Sequence, residues 1–150
     1  MPSAYAHYRF GRQVCPLLDS AAQQTILSRP EPFLIGLHGP DIFFYHHPLG
    51  ASPIKQMGHR MHAEPAETFF RPAAYRLSLH PDRQAGLSYL YGFLCHFALD
   101  STCHPYVEAQ VKRTGIAHME LEAEFDRMLM LHEWDGDYGI SRLSLWKCLL

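Results

Sequence analysis

Hydrophobic positions along the chain recur at steps of three and four residues and do not alternate, which is the period of a helix. The clearest run extends from Pro81 to about His104, and Pro105 is expected to end that helix. A second run starts after Gly115 and extends to about Trp134. Its apolar side chains line much of the helix circumference, so we expect this second helix to be well buried.

Capping residues predict shorter helices in the first half of the chain. Ser3 can cap a first helix that carries His7, and Asp19 or Ser20 can cap a second one over residues 21–28. Each of these residue types accepts hydrogen bonds from the free N–H groups at a helix start. The N-terminal third of the chain is therefore predicted to be helical as well.

Ser52 followed by Pro53 is typical of a helix cap and first helical residue, and the helix that follows would carry His59 and His62. The fold class predicted from these segments is all-α, a bundle of helices. With 150 residues, the chain is long enough for one domain, residues 1–150, and short for two. Residues 140–150 resemble a short helix with uncovered apolar side chains, so we expect either a truncated C-terminus or a tail that docks on a partner.

Composition excludes several classes of protein. Hydrophobic residues make up 47% of the chain and charged residues 19%, which is enough for a folded core. The 13 Lys and Arg against 15 Asp and Glu give a net charge of -2, so there is no basic surplus to hold a nucleic-acid backbone, and no stable nucleic-acid complex is expected.

The same composition bears on location. No apolar stretch is long enough for a transmembrane helix, and the first residues lack the charged start and apolar segment of a signal peptide. The 4 cysteines form no CxxC pair, which suits a reducing compartment. We therefore expect a cytoplasmic protein. The unusual feature is the 11 histidines, which add little to solubility when neutral and point to chemistry.

Two pairs of metal-binding residue types stand on the long helices. His96, Asp100 and His104 follow one another at four-residue steps, which drift by only about 40° around a helix, so His96 and Asp100 share a face. His118 and Glu122 repeat this spacing on the next helix. A histidine and a carboxylate on adjacent turns form a two-point grip for zinc.

The alternative to metal binding is a surface ion pair or a satisfied hydrogen bond, which explains either pair by itself. It explains both pairs together less well, because their neighbours are strongly apolar and a buried carboxylate without a partner is costly. Asp126 stands one turn beyond Glu122 on the same stripe. We therefore predict a metal centre formed by the two helices.

Three further positions are candidates with open alternatives. Asp41 follows a Gly-Pro turn, where it could be a helix cap or a chemical group. His59 and His62 could share a helix face, and either could be a ligand. His7 is by itself more typical of a structural histidine.

The order and spacing of these histidines and carboxylates along the chain resemble those of the zinc-dependent phospholipase C family, over residues 1 to about 128. The resemblance implies a helical bundle with three zinc ions at one end. A sister family, the single-strand-specific nucleases and 3′-nucleotidases, has a similar three-metal site. The matching positions are Met1–Pro2–Ser3 with His7, Gly39–Pro40–Asp41, Gly58 with His59 and His62, His96-x-x-x-Asp100 with His104, and His118-x-x-x-Glu122.

The resemblance also implies a ligand set for two or three zinc ions. The first ion would be held by Asp41, His62, His96 and Asp100, with His62 preferred to His59 because it is expected on the inward face. The second ion would be held by His104, His118 and Glu122. The third would be held by His7 and the second oxygen of Asp100.

The function implied by the resemblance is zinc-dependent hydrolysis of a phosphodiester, most simply of a phospholipid to diacylglycerol and a phosphorylated headgroup. Ions about 3.5–4 Å apart can share a water and convert it into a hydroxide that attacks phosphorus. Asp41 would orient this water and act as general base. The alternatives are a zinc-dependent nuclease or 3′-nucleotidase, and a non-catalytic helical module that zinc stabilises.

Overall fold

The structure is a computed structural model that describes residues 4–47 and 50–134. Within that part, the regular elements are helices and no strand occurs, which confirms the all-α class. Met1–Ser3 and the predicted tail helix at residues 140–150 lie outside the described residues. The α-helices are α1 (Ala4–Val14), α2 (Ser20–Ser28), α3 (Pro30–Gly36), α4 (Pro53–Ala63), α5 (Ala66–Ser78), α6 (Arg83–Thr114) and α7 (His118–Trp134), with short 3-10 helices at Cys15–Leu17 and Gly39–Tyr45.

Two of the predicted caps are present. The carboxylate of Asp19 accepts hydrogen bonds from the main-chain N–H groups of Ala21 and Ala22 at 2.9 and 3.0 Å, at the start of α2. The hydroxyl of Ser52 accepts the N–H of Lys55 at 3.2 Å, at the start of α4. The side chains that close these helix ends were therefore predicted correctly from local sequence.

The prediction that Pro105 ends the long helix is wrong. Helix α6 continues through Pro105 to Thr114, and Gly115 ends it in the left-handed conformation, with φ 71° and a hydrogen bond from its N–H to the Val111 carbonyl at 2.9 Å. A proline removes one main-chain hydrogen bond, and the many bonds on either side of it keep a helix of this length continuous. Gly115 is the residue type that a helix end favours, and it was the better signal.

Close packing of α3 on α6 forms the centre of the fold. Gly36 and Gly92 face each other there, because a Cβ on Gly92 would lie 2.1 Å from the Phe33 carbonyl oxygen and one on Gly36 would lie 2.2 Å from that of Tyr89. Only glycine allows the two main chains to approach this closely. The core cluster beside this contact consists of Ile26, Phe33, Leu37 and Cys95. The contact also holds the segment after α3, which carries Asp41, against α6.

The prediction that α7 is well buried is wrong for most of its apolar residues. Met119 is 58% exposed and Phe125 is 49% exposed, and Met128 and Leu131 are similar. The inward side of α7 carries Glu122 instead, whose side chain is only 11% exposed. The helix is apolar around much of its circumference, so its hydrophobic pattern does not define which side faces the protein. None of the described helices has the length and hydropathy needed to cross a membrane.

Candidate metal centre

Side chains from five elements converge on Asp100, in the middle of α6. They come from α1, the Gly39–Tyr45 segment, α4, α6 itself and α7. Three groups of potential ligand atoms form there, and within each group the atoms lie within 4.8 Å of one another. The groups are His7, His96 and Asp100; Asp41, His62 and His96; and His104, His118 and Glu122. The structure thus brings together the eight residues that the resemblance implied as zinc ligands.

The group around Asp41 joins three elements. His62 Nε2 on α4 lies 2.9 Å from Asp41 Oδ1, and His96 Nε2 on α6 lies 3.7 Å from Asp41 Oδ2. Asp41 is inside the 3-10 helix and is not at its N-cap, which is His38, so the reading of Asp41 as a helix cap is not supported. The Asp41 side chain is 4% exposed. A carboxylate this buried needs cationic partners.

His59 and His62 have different positions although they stand three residues apart on α4. His62 faces Asp41, and its Nε2 is also 3.6 Å from Asp100 Oδ2. His59 packs its ring against Phe44, with ring centroids 4.7 Å apart. The geometry therefore favours His62 over His59 as a member of this group.

The group on the other side of Asp100 joins α6 and α7. His118 Nε2 lies 2.9 Å from Glu122 Oε1, and His104 Nε2 lies 3.9 Å from the same oxygen. The two imidazole rings stack with centroids 5.2 Å apart. His104 was expected at the end of its helix, just before Pro105. It instead lies within continuous helix, which fixes its direction toward α7.

The third group depends on α1. His7 Nε2 lies 3.2 Å from Asp100 Oδ1, and the His7 ring stacks on the His96 ring with centroids 4.1 Å apart. His7 is buried, with 3% of its surface exposed. The two oxygens of Asp100 therefore face different partners, Oδ1 toward His7 and Oδ2 toward His96 at 3.3 Å.

Three of the histidines are oriented by the same kind of contact. In each, Nδ1 lies within hydrogen-bond distance of a main-chain carbonyl oxygen. Because a carbonyl can only accept, Nδ1 must carry the hydrogen, and Nε2 is the atom that faces the carboxylates. This is how metal-bound histidines are commonly held. The pairs are His62 with Gly58 at 2.8 Å, His96 with Leu37 at 3.1 Å, and His104 with Asp100 at 3.1 Å.

His96 gives the most direct test of whether a metal ion fits. Its Nε2 atom is buried and makes no hydrogen bond of normal geometry. In the neutral ring this atom carries a lone pair, and it faces oxygens of both Asp100 and Asp41. A lone pair set against two carboxylates is unfavourable unless a proton or a cation lies between them. A zinc ion, which binds imidazole nitrogen and carboxylate oxygen, satisfies all three.

The clustered histidines and carboxylates shift each other's pKa. Burial works against ionisation of Asp100, but the neighbouring His7 and His96 rings outweigh it and hold the pKa of Asp100 well below its usual range. Burial likewise disfavours a charged His62, but the hydrogen bond to Asp41 and the Gly58 carbonyl raise its pKa. Asp100 is therefore held as a carboxylate.

The sequence analysis missed part of the cleft lining, and it grouped Asp126 with His118 and Glu122 although Asp126 lies elsewhere. A cleft of about 610 Å³ opens over two of the three groups, and Phe44, Lys55, His59 and Met119 complete its lining. No motif marked Lys55 or Met119, although Lys55 is one turn before His59 on α4. Asp126, which continues the stripe of His118 and Glu122 in the sequence, does not join them in space. It accepts the N–H groups of Tyr5 and Ala6 at 2.9 and 2.8 Å, at the start of α1.

Comparison with known families agrees with this geometry. A model of the family described as zinc dependent phospholipase C matches residues 6–148, which is nearly the whole chain. No curated protein and no solved structure matches the chain significantly. The chain belongs to the zinc-dependent phospholipase C family.

Proposed function

We propose that the protein is a zinc-dependent phospholipase C-like enzyme that hydrolyses the phosphodiester bond of a phospholipid, releasing diacylglycerol and a phosphorylated headgroup. The observation that carries the proposal is that the groups around Asp41 and Glu122 open onto one cleft. Asp100 lines the same cleft, between the two groups. A metal held only for stability is normally enclosed by protein ligands, whereas a catalytic metal keeps a position open to substrate.

The proposed ligands follow the three groups. Asp41, His62, His96 and Asp100 would hold one ion. His104, His118 and Glu122 would hold a second, and His7 with the Oδ1 atom of Asp100 would contribute to a third. When bound, zinc supplies activation of water and neutralisation of the phosphoryl oxygens. Asp100 is central because its two oxygens face His7 and His96 separately, at 3.2 and 3.3 Å.

Asp41 is the proposed general base. Its Oδ1 lies 2.9 Å from His62 Nε2 and the residue lines the cleft, so His62 orients the carboxylate at the inner wall of the cleft. It would accept the proton of the attacking water as the new bond to phosphorus forms. The bond between phosphorus and the diacylglycerol oxygen then breaks, and that oxygen receives the proton. No nucleophilic side chain is required.

The test is hydrolysis by zinc-loaded protein of three substrates: a short-chain phospholipid, a mononucleotide 3′-phosphate and a nitrophenyl phosphodiester. We expect diacylglycerol release from the phospholipid, and its loss in His118→Gln. The exposed His132, on the same helix, gives the matched control His132→Gln, which should retain activity. Turnover of the nucleotide alone would favour the nuclease alternative. Bound zinc without turnover of any of the three substrates would favour the alternative of a non-catalytic helical module that zinc stabilises.

A further inference from the structure

The turn between α6 and α7 stands at the edge of the cleft. We call residues 112–119, from the last turn of α6 to the start of α7, the α6–α7 corner. His118 and Met119 belong to the cleft lining, and Ile116 precedes them by two residues. Because Met119 is 58% exposed, this part of the lining lies at the mouth of the cleft and not at its floor.

The α6–α7 corner projects from the protein in a defined conformation. Gly115 ends α6 with φ 71°, and a Cβ added to it would meet no atom within 4 Å apart from its chain neighbours. The Thr114 hydroxyl donates to the Gln110 carbonyl at 2.7 Å and accepts the N–H of Ile116 at 3.2 Å. Ile116 is thus held at the tip of a hydrogen-bonded turn that open space surrounds.

The side chains at this tip are apolar. Ile116 is 38% exposed, and Met119 is more exposed still. Removing such side chains from water is favourable, and the boundary between lipid headgroups and acyl chains is a place that accepts them. Their position beside the mouth of the cleft places this apolar surface where a phospholipid substrate would enter.

Two cations stand behind the apolar tip. Lys112 and Arg113 occupy the last turn of α6, and both are exposed. Arg113 donates to the side-chain oxygen of Gln110 at 2.9 and 2.6 Å, and this partner is neutral. Glu108 stands one turn before Lys112, yet within residues 4–47 and 50–134 neither cation forms an ion pair with a carboxylate. Exposed cations beside apolar side chains suit a surface of lipid phosphates.

We propose that the α6–α7 corner docks the protein on a phospholipid bilayer that contains anionic lipid, with the mouth of the cleft against the bilayer. Ile116 and Met119 enter the boundary between headgroups and acyl chains, and Lys112 and Arg113 contact lipid phosphates. The inference rests on the proposed hydrolysis of phospholipids, because a lipid held in a bilayer reaches the cleft only where its mouth meets that surface.

Vesicle binding tests the docking directly. Zinc-loaded protein is sedimented with vesicles of phosphatidylcholine alone and of phosphatidylcholine with one-fifth phosphatidylglycerol. We expect tighter binding to the mixed vesicles, weakened by salt. Ile116→Glu should weaken binding to both kinds of vesicle about tenfold or more, because it replaces an inserted apolar side chain by a charge. Lys112→Gln combined with Arg113→Gln should weaken binding to the mixed vesicles about tenfold and leave binding to phosphatidylcholine nearly unchanged.

Two comparisons separate docking from damage to the fold or to the metal centre. Leu27 on α2 is 72% exposed and does not line the cleft, so the matched control Leu27→Glu should keep the vesicle binding of the wild type. In Ile116→Glu, hydrolysis of vesicle lipid should fall in parallel with binding. Hydrolysis of dihexanoyl phosphatidylcholine below its micelle concentration, which needs no docking, should keep its kcat/KM.

Several results would overturn the inference. These are vesicle binding that Ile116→Glu leaves unchanged, an equal loss in Leu27→Glu, and a wild-type dimer that Ile116→Glu converts into monomers, which would assign the α6–α7 corner to contact between copies of the chain. Hydrolysis of the soluble lipid without vesicle binding contradicts the docking and leaves the proposed function standing. Vesicle binding that depends on Ile116, without hydrolysis of either lipid form, contradicts the proposed function alone.

Discussion

His7 on α1 and Asp100 on α6 are in contact, with His7 Nε2 3.2 Å from Asp100 Oδ1. The second oxygen of the same carboxylate faces His96 at 3.3 Å. A carboxylate can bridge two cations through its two oxygens, which a single neutral side-chain nitrogen cannot do. Asp100 is therefore the residue on which a paired metal site would depend.

Asp100→Asn keeps the size of the side chain and removes its charge. We expect the variant to bind at least one zinc ion fewer per chain and to lose phosphodiester hydrolysis by several orders of magnitude, because two-metal activation of water requires both ions. Zinc per chain is measured by plasma mass spectrometry alongside the rate. Glu108→Gln, at an exposed carboxylate on the same helix, is the control and should match the wild type. Full zinc content in Asp100→Asn would contradict the bridging role.

The two histidines of α4 give a second comparison. His62 lies 2.9 Å from Asp41, whereas His59 packs on Phe44. We expect His62→Ala to lower zinc content and abolish hydrolysis of a soluble nitrophenyl diester, and His59→Ala to retain its zinc. Equilibrium dialysis against a zinc-buffered solution measures both. Loss of zinc in His59→Ala with retention in His62→Ala would reverse the assignment.

Much of the site could be predicted because its spacing is local. His96 with Asp100, and His118 with Glu122, each repeat the four-residue helical step, so one helix face was enough to pair them. What joins these pairs in space is the packing of α3 on α6 through Gly36 and Gly92. That contact joins residues about 56 positions apart, so a local sequence pattern does not predict it.

The errors have equally physical causes. Pro105 removes only one hydrogen bond from a helix of 32 residues, so its local preference was outweighed. The apolar residues of α7 were expected to face inward, but its inward side is occupied by Glu122 and Asp126, which contact other elements. The rotation of this helix about its axis is therefore set by polar contacts with other elements, which the hydrophobic pattern does not predict.

A single substitution distinguishes whether Asp41 acts as a general base or chiefly as a metal ligand. If it orients water and accepts a proton, Asp41→Asn should abolish turnover while most zinc remains, because the amide keeps one oxygen that can serve as a ligand but is a very weak base. Zinc content and rate are measured on the same preparation. Retained activity would contradict the role of general base, and a proportional loss of zinc and activity would show that Asp41 acts chiefly as a ligand.

Removal of zinc should destabilise the fold. Asp41, Asp100 and Glu122 are largely buried carboxylates, and the proposed zinc ions would compensate for the cost of their burial. Ligand-linked stabilisation amounts to about 2.7 kcal/mol per site when free metal is a hundred times its dissociation constant. We expect chelation to lower the melting temperature, and added zinc, but not magnesium, to restore it. A melting temperature unaffected by the chelator, once zinc loss is verified, would contradict this.

Asp126 joins α7 to the start of α1 by accepting the N–H groups of Tyr5 and Ala6 at 2.9 and 2.8 Å. Loss of such a cap costs about 1 kcal/mol. Asp126→Ala should therefore lower the melting temperature by about 2–4 °C in a protein of this size. Because the bonds of Asp126 go to main-chain groups of α1, zinc content and hydrolysis should be retained. Asp126→Asn keeps an acceptor oxygen and should recover part of the loss. Thermal unfolding of zinc-loaded samples provides the comparison, and a parallel fall in zinc content would instead place Asp126 in the metal centre.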